Sequence, residues 1–175
     1  SMGHSLMAVE TAGCYAPCGN YPLPSAVLMT AVPAKVAGVK TVIFATPCGT
    51  ETMAEKQETD GDRLSSRDTM LAAAWIAGVD KVLIAGGAQA ISALGSGIPS
   101  LEIERCDAVV GPGNRFVTAA KSLLAGRCAI DFLAGPSEVL VMVDGEADAE
   151  LVAADLLAQA EHDVQARAIL VTTDK

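Results

Sequence analysis

Short apolar runs alternate along the chain with longer stretches in which apolar residues recur at helical spacing. The runs are rich in β-branched residues, which favours strands, and they lie near Cys14 and at 41–45, 82–85, 108–110, 139–143 and 169–173. The stretches between them favour helices, at 25–37, 67–77, 88–94, 115–124 and from Asp148, a predicted helix cap, to about His162. Alternating strands and helices predict a three-layer, Rossmann-like α/β fold with a mainly parallel sheet.

Two stretches of the chain resemble each other, Ala34–Pro47 and Ala74–Gly87. Each contains a helix end, then a glycine, then a short apolar strand. Gly38 and Gly78 occupy the position at which glycine commonly ends a helix. The two copies therefore predict consecutive β-α-β units, separated by a long polar loop over residues 48–66.

The length of 175 residues predicts one Rossmann-like domain over residues 13–175. Residues 1–12 are expected to be an N-terminal extension that begins with a cloning remnant, Ser1-Met2. Because 51% of the residues are hydrophobic but only 3% are aromatic, Ala, Val, Leu and Ile must fill the core.

Charge and cysteine content limit the classes of partner and compartment. A net charge of −9 argues against nucleic acids and anionic membranes as partners. There is neither a run of about eighteen apolar residues nor a signal-peptide pattern, and the five scattered cysteines favour reduced thiols. We therefore expect a cytoplasmic protein.

Three glycine turns follow predicted strands, and ligands of such folds bind at the carboxyl ends of strands. The need for tight turns explains the glycines, but it does not explain Gln89, Asn114 and Ser137, neutral hydrogen-bonding residues at equivalent places. The Gly-x-Gly-x-x-Gly fingerprint with a following acidic residue is absent. A cofactor would therefore be held through these other turns.

Gln159 and His162 lie three residues apart, on one face of the last predicted helix, with Asp155 one turn earlier. A polar helix end explains them, since a helix dipole favours a cationic histidine near its C-terminus. Metal ligation is the alternative, although a glutamine amide is an unusual zinc ligand.

Five motifs, in the same order along the chain, resemble the histidinol dehydrogenase family. They are Ser25–Met29 with Pro33–Gly38, Gly86–Ala90, Val110–Asn114, Gly135–Val141, and Asp155–His162. Gly13–Pro17 with Asn20–Pro22 is similar to a sibling branch that includes a sulfopropanediol dehydrogenase.

The resemblance implies a zinc-dependent oxidoreductase of histidine biosynthesis that uses NAD to take an amino alcohol to the aldehyde and then to the carboxylate. It implies that Tyr15, Gln89 and Asn114 contact NAD and that Ser137 contacts the substrate. It further implies that Gln159 and His162 bind both zinc and substrate.

The sequence departs from the family in two respects. Cys18 replaces a glycine of the usual turn, and no match is found for the family's catalytic Glu-His pair or its other two zinc ligands. We therefore assign no catalytic residue in this chain, which is expected to be inactive alone and to pair as a homodimer or with a missing C-terminal domain. Two alternatives stay open: a sibling dehydrogenase of another alcohol, and a non-catalytic nucleotide- or partner-binding module.

Overall fold

The computed structural model of the protein describes residues 3–18, 22–47, 65–133, 138–161 and 165–173. The chain divides into two compact units, unit 1 (Ser1–Leu133) and unit 2 (Ala134–Lys175). Both lie within the range predicted to be one domain and its N-terminal extension. The first strand begins at Thr11, two residues before the predicted start of that domain.

Unit 1 is a parallel five-stranded sheet with helices between its strands. The strands are β1 (Thr11–Tyr15), β2 (Thr41–Thr46), β3 (Lys81–Ile84), β4 (Ala108–Val110) and β5 (Ala129–Ile130). The helices are α1 (Pro24–Val36), α2 (Ser66–Ile76), α3 (Gly87–Ser96) and α4 (Arg115–Leu124), with a 3₁₀ turn at Pro99–Leu101. The strand order β3-β2-β1-β4-β5 is that of the first five strands of a Rossmann sheet, which confirms the predicted fold class.

The core of unit 1 forms two layers, one on each face of the sheet. On one face, Val42 and Phe44 of β2 pack with side chains of α1 and α2, among them Val27 and Met70. On the other face, Ile43 packs with side chains of α3 and α4. The alternation along β2 follows from the two-residue period of a strand, and it gives the three layers predicted from the sequence.

The repeated segments form corresponding structures. Gly38 and Gly78 end α1 and α2 with φ of +85° and +74°, as their positions predicted. Lys35 of the first copy pairs with Asp80 of the second (Nζ–Oδ2 2.5 Å), and the same oxygen accepts from the Val42 N–H at 2.6 Å. Burial raises the pKa of Asp80, but these hydrogen bonds outweigh it, so the pKa lies below its ordinary value of 3.8.

Local signals set the helix starts. Pro24 occupies the first turn of α1, and the helix continues through Pro33 to Val36. Ser65 caps α2 by accepting from the Asp68 N–H at 3.1 Å, in a capping box with the Asp68 carboxylate. Most of the predicted loop, residues 48–64, lies outside the described residues.

Unit 2 is a single β-α-β element, made of β6 (Glu138–Val143), α5 (Ala149–Ala160) and β7 (Arg167–Thr172). Asp148 caps α5 by accepting from the N–H groups of Glu150 and Leu151, which confirms its predicted role. The two strands pair in parallel, and every residue of β7 is exposed. The predicted turn at 135–137 lies outside the described residues.

None of the described helices is long and apolar enough to cross a bilayer. Cys14, Cys106 and Cys128 are free and buried. Cys18 is disulfide-bonded, so the expectation of reduced thiols is not met at this residue.

Candidate functional site at the carboxyl edge of the sheet

The segments that follow β1, β2, β3 and β4 meet at one edge of unit 1, which we call the carboxyl edge. Tyr15 ends β1, and its hydroxyl oxygen accepts from the Gly87 N–H at 3.1 Å. A Cβ atom on Gly86 would lie 2.7 Å from the Pro47 Cβ, and one on Gly111 would lie 1.9 Å from the Tyr15 carbonyl oxygen. These close approaches require glycine, and they bring Tyr15, the start of α3 and the loop before α4 into one surface.

Tyr15 is 3% exposed, and its ring lies in the core layer beneath α3 and α4. The hydroxyl holds the first N–H of α3, so Tyr15 supports the turn at Gly86-Gly87. The predicted contact between Tyr15 and NAD stays a prediction.

Gln89 is exposed in the first turn of α3. Gly86 is the N-cap of this helix and offers no side-chain hydrogen bond, and Gly87 has a φ of +62°. The Gln89 Oε1 lies 3.1 Å from the place that a Cβ of Gly87 would take, so the amide folds back over the turn. The start of α3 thus combines backbone N–H groups with one neutral polar side chain.

Asn114 is exposed and caps α4. Its Oδ1 accepts from the N–H groups of Phe116 at 3.0 Å and Val117 at 3.2 Å. The prediction that no structural need explains an asparagine here is wrong, because the capping bonds supply that need.

Two residues that the sequence analysis did not single out, Lys121 and Asp131, hold the loop before α4. The Lys121 side chain is 4% exposed, and its Nζ lies 2.6 Å from Asp131 Oδ1 and 2.5 Å from the Gly111 carbonyl oxygen. Asp131 Oδ2 accepts from the Gly111 N–H at 2.8 Å. A signal did exist in the sequence, since Lys121 occupies a buried position of α4 between Val117 and Leu124.

An apolar groove of about 560 Å³ runs along the α1 face of the sheet beside Gly111. Its lining includes Ala26, Met29, Val110, Pro112 and Phe132. Its size falls within the range of small-molecule sites.

The remaining candidate residues belong to unit 2. Gln159 is half-buried in the last turn of α5, and Asp155, one turn earlier, is exposed. Ser137 and His162 lie outside the described residues. Within the part of the chain that the structure describes, no three His, Cys, Asp or Glu side chains lie close enough to hold a metal ion.

Comparisons with a family model, with curated proteins and with solved structures all match the same family. A family model described as histidinol dehydrogenase matches residues 1–175. The histidinol dehydrogenase of Haloarcula marismortui is 50% identical over 173 residues, and that of Pseudomonas aeruginosa is 44% identical over 173 residues. The crystal structure of histidinol dehydrogenase from Elizabethkingia anophelis superposes with a TM-score of 0.77 at 41% identity.

The matched region is a fraction of each relative. It covers 99% of this chain but 37% of the Haloarcula protein and 36% of the Pseudomonas protein. For the Elizabethkingia structure it covers 96% of this chain and 36% of that chain.

Proposed function

Because the chain belongs to the histidinol dehydrogenase family, we propose that unit 1 binds the NAD of a histidinol-oxidising enzyme at its carboxyl edge. The observation that carries this proposal is the meeting of Tyr15, the start of α3 and the loop before α4 on one surface. The first oxidation takes the alcohol to the aldehyde and the second takes the aldehyde to the carboxylate, and NAD supplies the hydride acceptor in each.

The topology supports the position of this site. In Rossmann-like sheets a dinucleotide binds where the strand order reverses, outside the carboxyl ends of the strands. Here the order reverses at β1 and β4, which end at Tyr15 and Val110. The carboxyl edge therefore coincides with the crevice in which such folds hold a dinucleotide.

The electrostatics of the edge favour recognition through dipoles. NAD is anionic, whereas the chain carries a net charge of −9, and the Lys121 ammonium is already paired with Asp131. The starts of α3 and α4 carry the positive ends of their helix dipoles without added charge, while Tyr15 and Asn114 accept from the N–H groups of Gly87, Phe116 and Val117. We assign Gln89 and Asn114 the role of orienting the cofactor beside these two helix starts.

Titration of NAD into the 175-residue chain, with binding measured by ligand-observed NMR, tests the cofactor site. We expect weak, saturable binding, because the matched region is little more than a third of each relative and leaves a bound cofactor partly solvated. Gln89→Ala should weaken it, whereas Ser92→Ala, at an exposed position of the same helix, should not. Absence of binding at several millimolar NAD would refute the site, and low-micromolar affinity would refute the expectation of weak binding.

We propose that zinc and substrate are bound by residues of unit 2, with Gln159 and His162 as the ligands from this chain and Ser137 as a further contact with the substrate. Two ligands leave a zinc ion mostly hydrated, and a ligand present at its dissociation constant adds only about 0.4 kcal/mol of stability. Added zinc should therefore barely move the melting temperature of the chain. A shift of several degrees that His162→Ala abolishes would show that this chain holds a more complete site.

The isolated chain should not reduce NAD with histidinol, with or without zinc. In our assignment it supplies the cofactor edge and two zinc ligands but no group that takes the alcohol proton or activates water. An absorbance assay for NADH at 340 nm tests this. A rate that is lost in His162→Ala would contradict the assignment of the chain as a partial enzyme.

A further inference from the structure

Resting on the proposed cofactor site, we infer that Lys121 and Asp131 are positioning residues that set the shape of the carboxyl edge. Among the hydrogen bonds of the described residues, those that join this pair to the carboxyl edge are made to Gly111. Both backbone groups of Gly111 are held, the carbonyl oxygen by Lys121 Nζ at 2.5 Å and the N–H by Asp131 Oδ2 at 2.8 Å.

The loop that these bonds hold is under steric constraint. Gly111 has a φ of +120°, and a Cβ on it would lie 1.9 Å from the Tyr15 carbonyl oxygen. Gly113 also packs closely, since its Cβ would lie 2.4 Å from a Val117 methyl group. The backbone between β4 and the cap of α4 therefore has little conformational freedom. Lys121 and Asp131 supply the hydrogen bonds that fix the first residue of this loop, Gly111.

The charged groups of Lys121 and Asp131 have several partners within unit 1. Besides Lys121 and Gly111, the Asp131 carboxylate accepts from the Phe132 N–H at 2.8 Å, and the Phe132 ring centre lies 5.8 Å from Lys121 Nζ. Asp131 is 19% exposed and Lys121 is 4% exposed at the side chain. Each charge is thus matched and hydrogen-bonded, as the burial of the Lys121 ammonium requires.

An ion pair of this kind adds little net stability to a fold. Desolvation of two charges offsets much of their attraction, and apolar residues of similar volume often stabilise a fold equally well. The bonds to Gly111 are the property that an apolar pair could not reproduce. We therefore expect removal of both charges to release the loop while leaving the fold of unit 1 intact.

The test compares the unaltered chain with the double variant Lys121→Met with Asp131→Asn, which leaves no unpaired buried charge. We expect its NAD dissociation constant to rise at least fivefold and its Gly111 amide to lose protection from hydrogen exchange, with a similar melting temperature. Lys121→Arg keeps the positive charge and the donors, so it should bind NAD more tightly than the double variant does.

The matched control removes another lysine–carboxylate pair from the same sheet. Lys81 lies at the amino end of β3, away from the carboxyl edge, and its Nζ pairs with Glu104 Oε1 at 2.7 Å. The variant Lys81→Met with Glu104→Gln should therefore leave NAD affinity unchanged. Unchanged affinity in the Lys121 and Asp131 double variant would overturn this inference alone. Failure of the unaltered chain to bind NAD would overturn the proposed function and this inference together.

Discussion

Side chains at the carboxyl edge stabilise the helix starts that a ligand bound at this edge would contact. The Tyr15 hydroxyl holds the first N–H of α3, and the Asn114 amide oxygen holds two N–H groups of α4. Each residue fixes the start of a helix whose amides face the edge. A substitution at either position therefore changes stability and recognition together, and the two effects must be measured separately.

For Asn114, side-chain chemistry separates the two effects. Asn114→Ala should lower the free energy of unfolding by about 1 kcal/mol, because the cap is lost. Asn114→Asp keeps a capping oxygen but places a negative charge beside an anionic cofactor, so it should retain stability and weaken NAD binding. Urea unfolding and NAD titration of both variants would check this, and equal NAD affinity in Asn114→Asp and the unaltered chain would argue that Asn114 is a cap alone.

Gly111 and Gly126 offer a matched comparison of backbone strain with steric overlap. Both have positive φ, +120° and +87°, but a Cβ on Gly126 would have no heavy atom within 4 Å. Gly126→Ala should cost about 1 kcal/mol from backbone strain. Gly111→Ala should cost clearly more, on the order of 3 kcal/mol or above, because the Tyr15 carbonyl must move. Similar losses in urea unfolding would show that the loop before α4 yields easily.

At the scale of the elements, hydrophobic periodicity predicted nearly every strand and helix of unit 1, and it placed β4 and α4 at their observed bounds. It missed β5 and the 3₁₀ turn, which are two and three residues long and too short for a period to show. The glycine turns that follow the strands predicted the position of the candidate site at the carboxyl edge. The ion pair of Lys121 and Asp131 was missed because its members are ten residues apart and meet only through the packing of α4 and β5.

The pair of Lys35 and Asp80, which joins the two repeated segments, predicts a pH dependence. The pKa of Asp80 is lowered in the folded state, so its ionised form adds stability above its ordinary value of 3.8, and this is lost as the pH falls through the lowered pKa. As the pH falls below about 4, the free energy of unfolding should fall more steeply for the unaltered chain than for Asp80→Asn. Lys35→Met should flatten the curve in the same way, and parallel curves for all three proteins would contradict this account.

At the scale of the whole molecule, unit 2 stands out for its exposed apolar side chains. Parallel strands are usually covered on both faces, yet Leu140 and Met142 of β6 are 54% and 73% exposed, and Ile169 of β7 is 40% exposed. Exposed apolar surface of this kind favours association.

We therefore expect the chain to self-associate at high micromolar concentration, as size-exclusion chromatography with light scattering would show. Met142→Lys should weaken the association, because it places a charge on the apolar surface. Ala154→Lys adds the same charge at an exposed position of α5 and serves as the control. A monomer at these concentrations would count against unit 2 as an interface.

The reactivity of the buried thiols can be used to measure transient opening of unit 1. Burial raises the pKa of Cys14 to about 11 and that of Cys106 to about 12, and it also raises that of Cys128. These sulfur atoms are buried away from the reagent, and at pH 8 only about a thousandth of a thiol with a pKa near 11 is thiolate, so alkylation requires the sheet to open. All five cysteines precede residue 134, so unit 2 contributes no label. Alkylation rates of the peptides that carry Cys14, Cys106 and Cys128, read by mass spectrometry, should therefore give an opening free energy for unit 1 alone, whatever the state of unit 2.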